Sequence, residues 1–287
     1  CNKDYEPYAI SRDHQIAQLL LENHISFHQY KDQVIFEEHE ILKQDQTPYT
    51  VFTPYSKKWK SLFHEAFSGP VQMPGFDSFF KCHKDIPSLS SLGFEKSAVQ
   101  IKDYTLSKLD QYSEIRNIPG LDATTYLSVH LRFGTVGIRE IINQITKGPE
   151  AFLNELIWRE FFMQILFHFP RVVHENFRNK YDGIEWRNNE EDYEKWCQGK
   201  TGYPLVDAGM RQLNSSGYMH NRVRMVCAGF LCKHLLIDWR WGEGYFAQKL
   251  LDYELSSNNG NWQWAAGTGC DAAPYFRIFN PSEQLKR

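Results

Sequence analysis

The chain has 287 residues, 42% of them hydrophobic and 23% charged, with a net charge of −3 and a pI of about 6.4. That length can bury a large core, and the charge balance excludes a protein that coats nucleic acid along its whole surface. No apolar run approaches the roughly 18 residues that a membrane-spanning helix needs, so a cytoplasmic protein without a membrane partner is expected.

Aromatic side chains make up 15% of the chain, with 8 Trp, 15 Tyr and 20 Phe. Such richness suits a large aromatic-lined interior or a site for flat, conjugated ligands. The six cysteines (Cys1, Cys82, Cys197, Cys227, Cys232 and Cys270) form no C-x-x-C pair and no zinc spacing with histidine. They read as reduced thiols, and no metal is expected.

In chain order, residues 11–24 ("SRDHQIAQLLLENH") predict an amphipathic helix with Ser11 as its N-cap and Asp13 in its first turn. Residues 25–30 and 33–36 read as short strands, so 1–36 looks like the end of an α/β unit. Residues 37–95 are rich in Pro, Gly, Ser and Phe without a sustained period, as in "SGPVQMPGFDSFF", and read mainly as a connector.

Helical periodicity dominates from about residue 96. The "DATTYLS" stretch (122–128) sets Thr124, Thr125 and Ser128 at a helix start, where hydroxyls and free N–H groups either cap the helix or cradle a phosphate. Residues 148–170 predict a helix from Pro149 to Pro170, with Glu155, Trp158 and Phe162 on one face. A carboxylate beside an indole there is either a satisfied core pair or part of a site. Residues 220–239 predict the next helix, with Asn221 and Met225 on one face and Arg222 and Arg224 beside them. Asp252 and Glu254 precede Asn258, and then Trp262 and Trp264 stand two residues apart. No P-loop, G-x-G-x-x-G or Ser-His-Asp order is present.

Taken together, "TTYLSVHLRFG", "NELIWREFF", "KTGYPLVDAGMRQLNSSGYMHNRVRM", "LLIDWRWGEGYF" and "NNGNWQWAAGTGCDAAPYFRIFNP" resemble the flavin domain of the photolyase/cryptochrome family, in family order, over most of 100–287. "YEPYAISRD" and "VFTPYSKKW" look like the end of its N-terminal antenna domain and the exit from it. The resemblance implies a mainly α fold. A remnant of the α/β antenna domain would occupy 1–36 and an interdomain connector 37–95. A helical FAD- and DNA-lesion-binding domain, short of its C-terminal end, would occupy 96–287.

It further implies a class I-like cyclobutane pyrimidine dimer photolyase, a monomer acting on UV-damaged DNA. Repair would proceed by light-driven electron transfer from reduced FAD to a flipped-out lesion. Tyr112, Thr124, Thr125, Tyr126, Leu127, Ser128 and Phe152 match flavin-contacting positions. Asp252, Tyr253 and Glu254 match those near the ribose and isoalloxazine, although relatives often carry Asp where Glu254 stands. Asn258 matches the residue facing the flavin N5.

Trp262, Trp239 and Trp186 match an electron-hopping chain, and Trp158 and Trp264 match aromatic walls of the lesion cavity. Glu155, Asn221, Met225, Arg116, Arg159, Phe162, Arg222, Arg277 and Gln284 match positions around the lesion and its flanking phosphates. In folate-binding relatives an Asn-Glu pair would stand where this chain has Tyr8-Ala9, so the antenna pigment stays unassigned. The alternatives are a cryptochrome without repair activity, a (6-4) photolyase, which would carry histidine where Asn221 stands, and a helical scaffold without cofactor.

Overall fold

The structure, a computed structural model, describes residues 1–66, 75–79, 81, 84–145, 148–274 and 276–284. Its α-helices run α1 (Pro7–Glu22), α2 (Phe52–Ala66), α3 (Tyr112–Ile115), α4 (Leu127–Arg132), α5 (Ile138–Gln144) and α6 (Glu150–His168). They continue as α7 (Glu190–Cys197), α8 (Pro204–Ser216), α9 (Asn221–Lys233), α10 (Trp239–Lys249), α11 (Leu255–Ala266) and α12 (Pro281–Gln284). The fold is mainly α, as expected. Cys82 and much of the 68–80 stretch lie outside the described residues.

Two helices are apolar on nearly every side and are therefore buried rather than laid on a surface. Helix α6 buries Phe152, Leu156, Ile157, Phe161, Phe162 and Ile165, and packs with α2, α4 and α5 into one core. Helix α9 buries Val223, Val226, Cys227, Phe230 and Leu231 and organises a second core from α8, α10 and α11. The two cores meet where α11 crosses α6. That crossing is close because Gly260 of α11 lies against the Phe162 ring, where a Cβ would collide. Gly242 of α10 makes the same room for the Trp262 ring.

Several boundaries differ from the sequence expectations. Helix α1 begins at Pro7, so Ser11 lies inside it, and Asp13 is a buried acceptor for Arg12 and Gln29 rather than a first-turn charge. Proline in the first turn gives up an N–H that has no intrahelical partner anyway. The expected 220–239 helix is two helices: α9 ends at Lys233, and α10 starts at Trp239 with Asp238 accepting from the Arg240 N–H. The 148–170 expectation holds closely, with Pro149 as N-cap and α6 ending two residues before Pro170.

No strand forms among the described residues, so the expected strands at 25–30 and 33–36 are absent; Asn2 and Tyr30 make only a single bridge. For 33–36 the cause is a substitution of partners. The Ile35 and Phe36 N–H groups donate to the two Glu160 oxygens at 2.7 and 3.1 Å, and the Gln33 carbonyl accepts from Arg159 at 2.7 Å. Side chains of α6 satisfy the backbone that a neighbouring strand would otherwise pair. The 37–95 segment also contains more than connection, because α2 buries Tyr55 and Trp59 in the α6 core.

Candidate functional site

Between the two cores lies a cavity of about 740 Å³. One wall is the 119–128 loop with the start of α4, a second is α6, and the others come from α9 and α11. It brings together Tyr112, Arg116, Thr124, Thr125, Tyr126, Leu127, Ser128, Phe152, Glu155, Trp158, Arg159, Phe162, Asn221, Met225, Asp252, Glu254 and Trp264. A smaller adjoining recess of about 90 Å³ adds Tyr253, Asn258 and Trp262.

The remaining expected site residues lie elsewhere. Arg222 donates to Asn117 Oδ1 at 2.6 Å, Arg277 is exposed with its carbonyl accepting from Lys233, and Gln284 is in α12. Trp239 is fully buried, its Nε1 donating to Asn176 Oδ1 at 2.9 Å, and Trp186 is half-buried at the edge of the same core.

The hydroxyl loop is shaped by Tyr126, which holds a left-handed conformation (φ 53°) as the N-cap of α4. The turn presents the Thr124, Thr125 and Ser128 region to the cavity. The Tyr126 hydroxyl accepts from Lys102 at 2.7 Å and donates to Asp122 at 2.5 Å, so a cation stands beside the loop. Arg159 borders the same space; burial disfavours its charge, and its guanidinium donates to Gln33 O.

Helix α11 carries the other half. At about 100° per residue, Trp262 and Trp264 point to roughly opposite sides of the helix. Trp262 is buried at 2% exposure and packs edge-on to Phe246 of α10, with ring centroids 4.9 Å apart. Trp264 is half-buried and borders the cavity together with Ser257 and Asn261, its neighbours on one helical face. Glu254 serves as the N-cap of α11. Its two oxygens accept from the Ser256 and Ser257 N–H groups at 2.9 Å, and both accept from the Ser256 hydroxyl. Glu254 thus borders the cavity with its lone pairs largely spent on the helix end.

Asn258, one turn on, donates through Nδ2 to Glu243 Oε1 at 2.9 Å. Burial raises the Glu243 carboxyl above its ordinary value, against the lowering effect of hydrogen bonds from Asn258 and Tyr253. The amide is thereby oriented, with Oδ1 left as its acceptor. Asp252 accepts two hydrogen bonds from Arg224 Nη2, at 3.1 and 2.9 Å.

Across the cavity, Glu155 pairs with Arg116 at 2.6 Å. Burial, then the Glu155 charge, push the Tyr112 phenol up to about 12, which keeps it a neutral donor. The Trp158 ring is stacked on Phe52 of α2, with centroids 3.7 Å apart and planes 5° from parallel.

Arg224, Glu243, Lys102 and His220 were missed as site residues. Arg224 follows Asn221 by three positions and so shares its face of α9, a signal that was present. His220 caps α9 through Nδ1, and burial followed by Arg222 and Arg224 lowers its pKa. Glu243 and Lys102 carried no local signal.

The donor set fits FAD. Hydroxyls, backbone N–H groups, Lys102 and Arg159 suit a pyrophosphate, Asp252 suits a sugar, and the oriented Asn258 amide beside aromatic walls suits a flat ring.

Two family models match the chain: the FAD-binding domain of DNA photolyase over residues 152–287, and DNA photolyase over residues 1–74. The deoxyribodipyrimidine photo-lyase of Vibrio cholerae is 37% identical over 99% of this chain and 66% of its own length. The chain belongs to the photolyase/cryptochrome family. It therefore carries that family's FAD-binding domain, and FAD is its cofactor.

Among solved photolyase-family structures, a bacterial class III photolyase from Agrobacterium tumefaciens superposes with a TM-score of 0.86 at 36% identity, over 99% of this chain and 64% of that one. A Synechocystis cryptochrome superposes with a TM-score of 0.80 at 26% identity, over 99% and 65% respectively. Identity to the class III photolyase nearly equals that to the Vibrio photo-lyase, so membership stands at the level of the family rather than at class I. This photolyase-family chain spans about two thirds of the length of the relatives it matches.

Proposed function

We propose that the chain repairs cyclobutane pyrimidine dimers in UV-damaged DNA, with FAD in the cavity and the dimer drawn in beside it. One observation carries this reading. A single cavity joins two indoles from different helices, Trp158 and Trp264, with a carboxylate, Glu155, and with the loop and acids suited to FAD. Bound FAD in its reduced form would supply the light-driven electron that splits the dimer.

The chain's own residues bind, orient and exclude water. Trp158 and Trp264 offer stacking surfaces to extruded bases, worth about 1–3 kcal/mol per base against an extrusion cost of a few kcal/mol. Glu155 and Asn221 offer an acceptor and an amide to the pyrimidine edges. Arg116 holds Glu155 in the free protein and is long enough to serve a flanking phosphate once DNA arrives. Trp262, Trp239 and Trp186 would carry electrons between the FAD site and the surface; all three belong to or pack on one core.

The test uses short duplexes with and without one dimer. Trp158→Ala should weaken binding of the dimer duplex by about 5- to 150-fold, the equivalent of one lost stack. Undamaged duplex, held through phosphates, should bind almost as before. Equal binding of both duplexes by the unaltered protein would remove the repair reading. A cryptochrome-type photoreceptor would then be favoured, which the likeness to the Synechocystis protein supports at lower identity.

A further inference from the structure

Trp158 lines the cavity, but one face of its ring is covered from outside by Phe52, a residue that does not itself reach the cavity. Phe161 meets the indole edge-on at 5.5 Å, and Phe162 lies tilted at 5.4 Å. Phe52 is the only one of these three that is not on α6, so it can hold the indole plane against a different helix.

Phe52 is the first residue of α2, and its N–H donates to Asp271 Oδ2 at 2.9 Å. The carboxylate comes from a position 219 residues away and satisfies an N–H at a helix start that has no intrahelical partner. Asp271 lies in the segment that leaves the end of α11. That helix ends at Gly267 in a left-handed turn, where the N–H groups of Gly267, Thr268 and Gly269 all donate to Gln263 O at 3.0–3.1 Å. Trp264 is the next residue after Gln263.

Further along, α2 is anchored to α6 by Trp59 Nε1, which donates to Glu160 at 2.7 Å, and by the Tyr55 ring against Phe161 at 5.2 Å. The two aromatic walls are therefore joined outside the cavity by a continuous bracket: Trp264, the α11 turn, Asp271, Phe52 and Trp158.

We propose that Phe52 and Asp271 are positioning residues that set the plane of Trp158 and its spacing from Trp264, and so tune selectivity for a damaged, extruded base pair. The inference rests on the repair reading above. A planar neighbour is required because a parallel contact constrains ring tilt, whereas an aliphatic side chain of similar volume fills space without fixing it.

Flavin-loaded protein is compared as wild type, Phe52→Leu, Phe52→Tyr and Asp271→Ala. Phe52→Leu should weaken binding of a dimer-containing duplex by about threefold to tenfold, the worth of one aromatic pair, and leave undamaged duplex unaffected. Repair per absorbed photon at saturating DNA should stay constant, and Phe52→Tyr should restore wild-type affinity. Asp271→Ala should repeat the Phe52→Leu pattern without touching either ring.

A readout independent of DNA accompanies these. Acrylamide quenching of the Trp158 emission, taken as the difference from Trp158→Phe, should rise in Phe52→Leu and not in Phe52→Tyr. Wild-type affinity in both Phe52→Leu and Asp271→Ala overturns the proposal. So does an equal loss for damaged and undamaged DNA in Phe52→Leu that Phe52→Tyr does not rescue. If Phe52→Leu fails to fold, Asp271→Ala and Phe52→Tyr decide alone. A wild-type protein without preference for the dimer refutes the repair reading instead, and quenching then decides whether Phe52 orients Trp158.

Discussion

Two tryptophans two residues apart do different things because a helix turns about 100° per residue. Trp262 is sealed between α10 and α11, and Trp264 borders the cavity. In the sequence that division rests on the family resemblance alone, because the Gly- and Asn-rich frame gives no helical signal of its own. The role of Glu254 was not legible. Helix caps are normally Asn, Asp, Ser or Thr, so a glutamate before Leu-Ser-Ser gives no capping signal. The structure shows both of its oxygens used by Ser256 and Ser257. The Asn258–Glu243 contact was equally hidden, since its partners are 15 residues apart on different helices. At this scale the relay is testable. Trp262 lines the recess beside Asn258, so Trp262→Phe should abolish light-driven reduction of oxidised FAD, followed by absorbance. Repair by chemically pre-reduced protein should persist. Photoreduction at the wild-type rate would assign the electron to another route, for which fully buried Trp196, a second indole edge-on to Trp262 at 6.1 Å, is the candidate.

Among the elements, α2 is the clearest failure of the sequence reading, and its signal was present. Tyr55, Trp59, Leu62 and Phe63 recur at helical spacing, masked by the Pro- and Gly-rich run that follows. The strand expected at 33–36 failed for a different reason: its backbone is held by Glu160 and Arg159, more than 120 residues later, which no local pattern reveals. Glu160 joins segment 34–36, α2 and α6 through Ile35, Phe36 and Trp59. Burial raises its carboxyl to about 7, against the lowering effect of those donors. A carboxyl whose folded pKa lies above its unfolded value binds more protons in the folded state. Its contribution is therefore full below about pH 4.5 and declines as pH rises to about 7, on the order of 3 kcal/mol in all. Urea unfolding of the wild type between pH 5 and 8 should show that decline superimposed on other titrations. In Glu160→Gln this component should vanish, and stability at pH 5 should drop by about 1–3 kcal/mol, because an amide cannot accept from all three donors. An unchanged pH slope in the variant would show that Glu160 does not titrate in this range.

For the molecule as a whole, the motifs along the chain foretold which residues meet, because the cavity gathers nearly all of the expected flavin and lesion contacts. Arg222, Arg277 and Gln284 lie outside it, where contacts with flanking phosphates would be made rather than contacts with the lesion. With a net charge of −3, overall charge favours no binding to DNA, so on the repair reading Arg222 and Arg277 would supply the salt-dependent part of affinity. On the repair reading, this cavity, loaded with FAD, repairs dimers by light. The most direct test mixes the reduced, FAD-loaded protein with a single-stranded oligonucleotide carrying one cyclobutane thymine dimer and follows the return of thymine absorbance. Near-ultraviolet light should restore the intact thymines over repeated turnovers, with none restored in the dark. A protein that retains reduced FAD and binds the oligonucleotide, yet leaves the dimers intact under that light, would contradict the account.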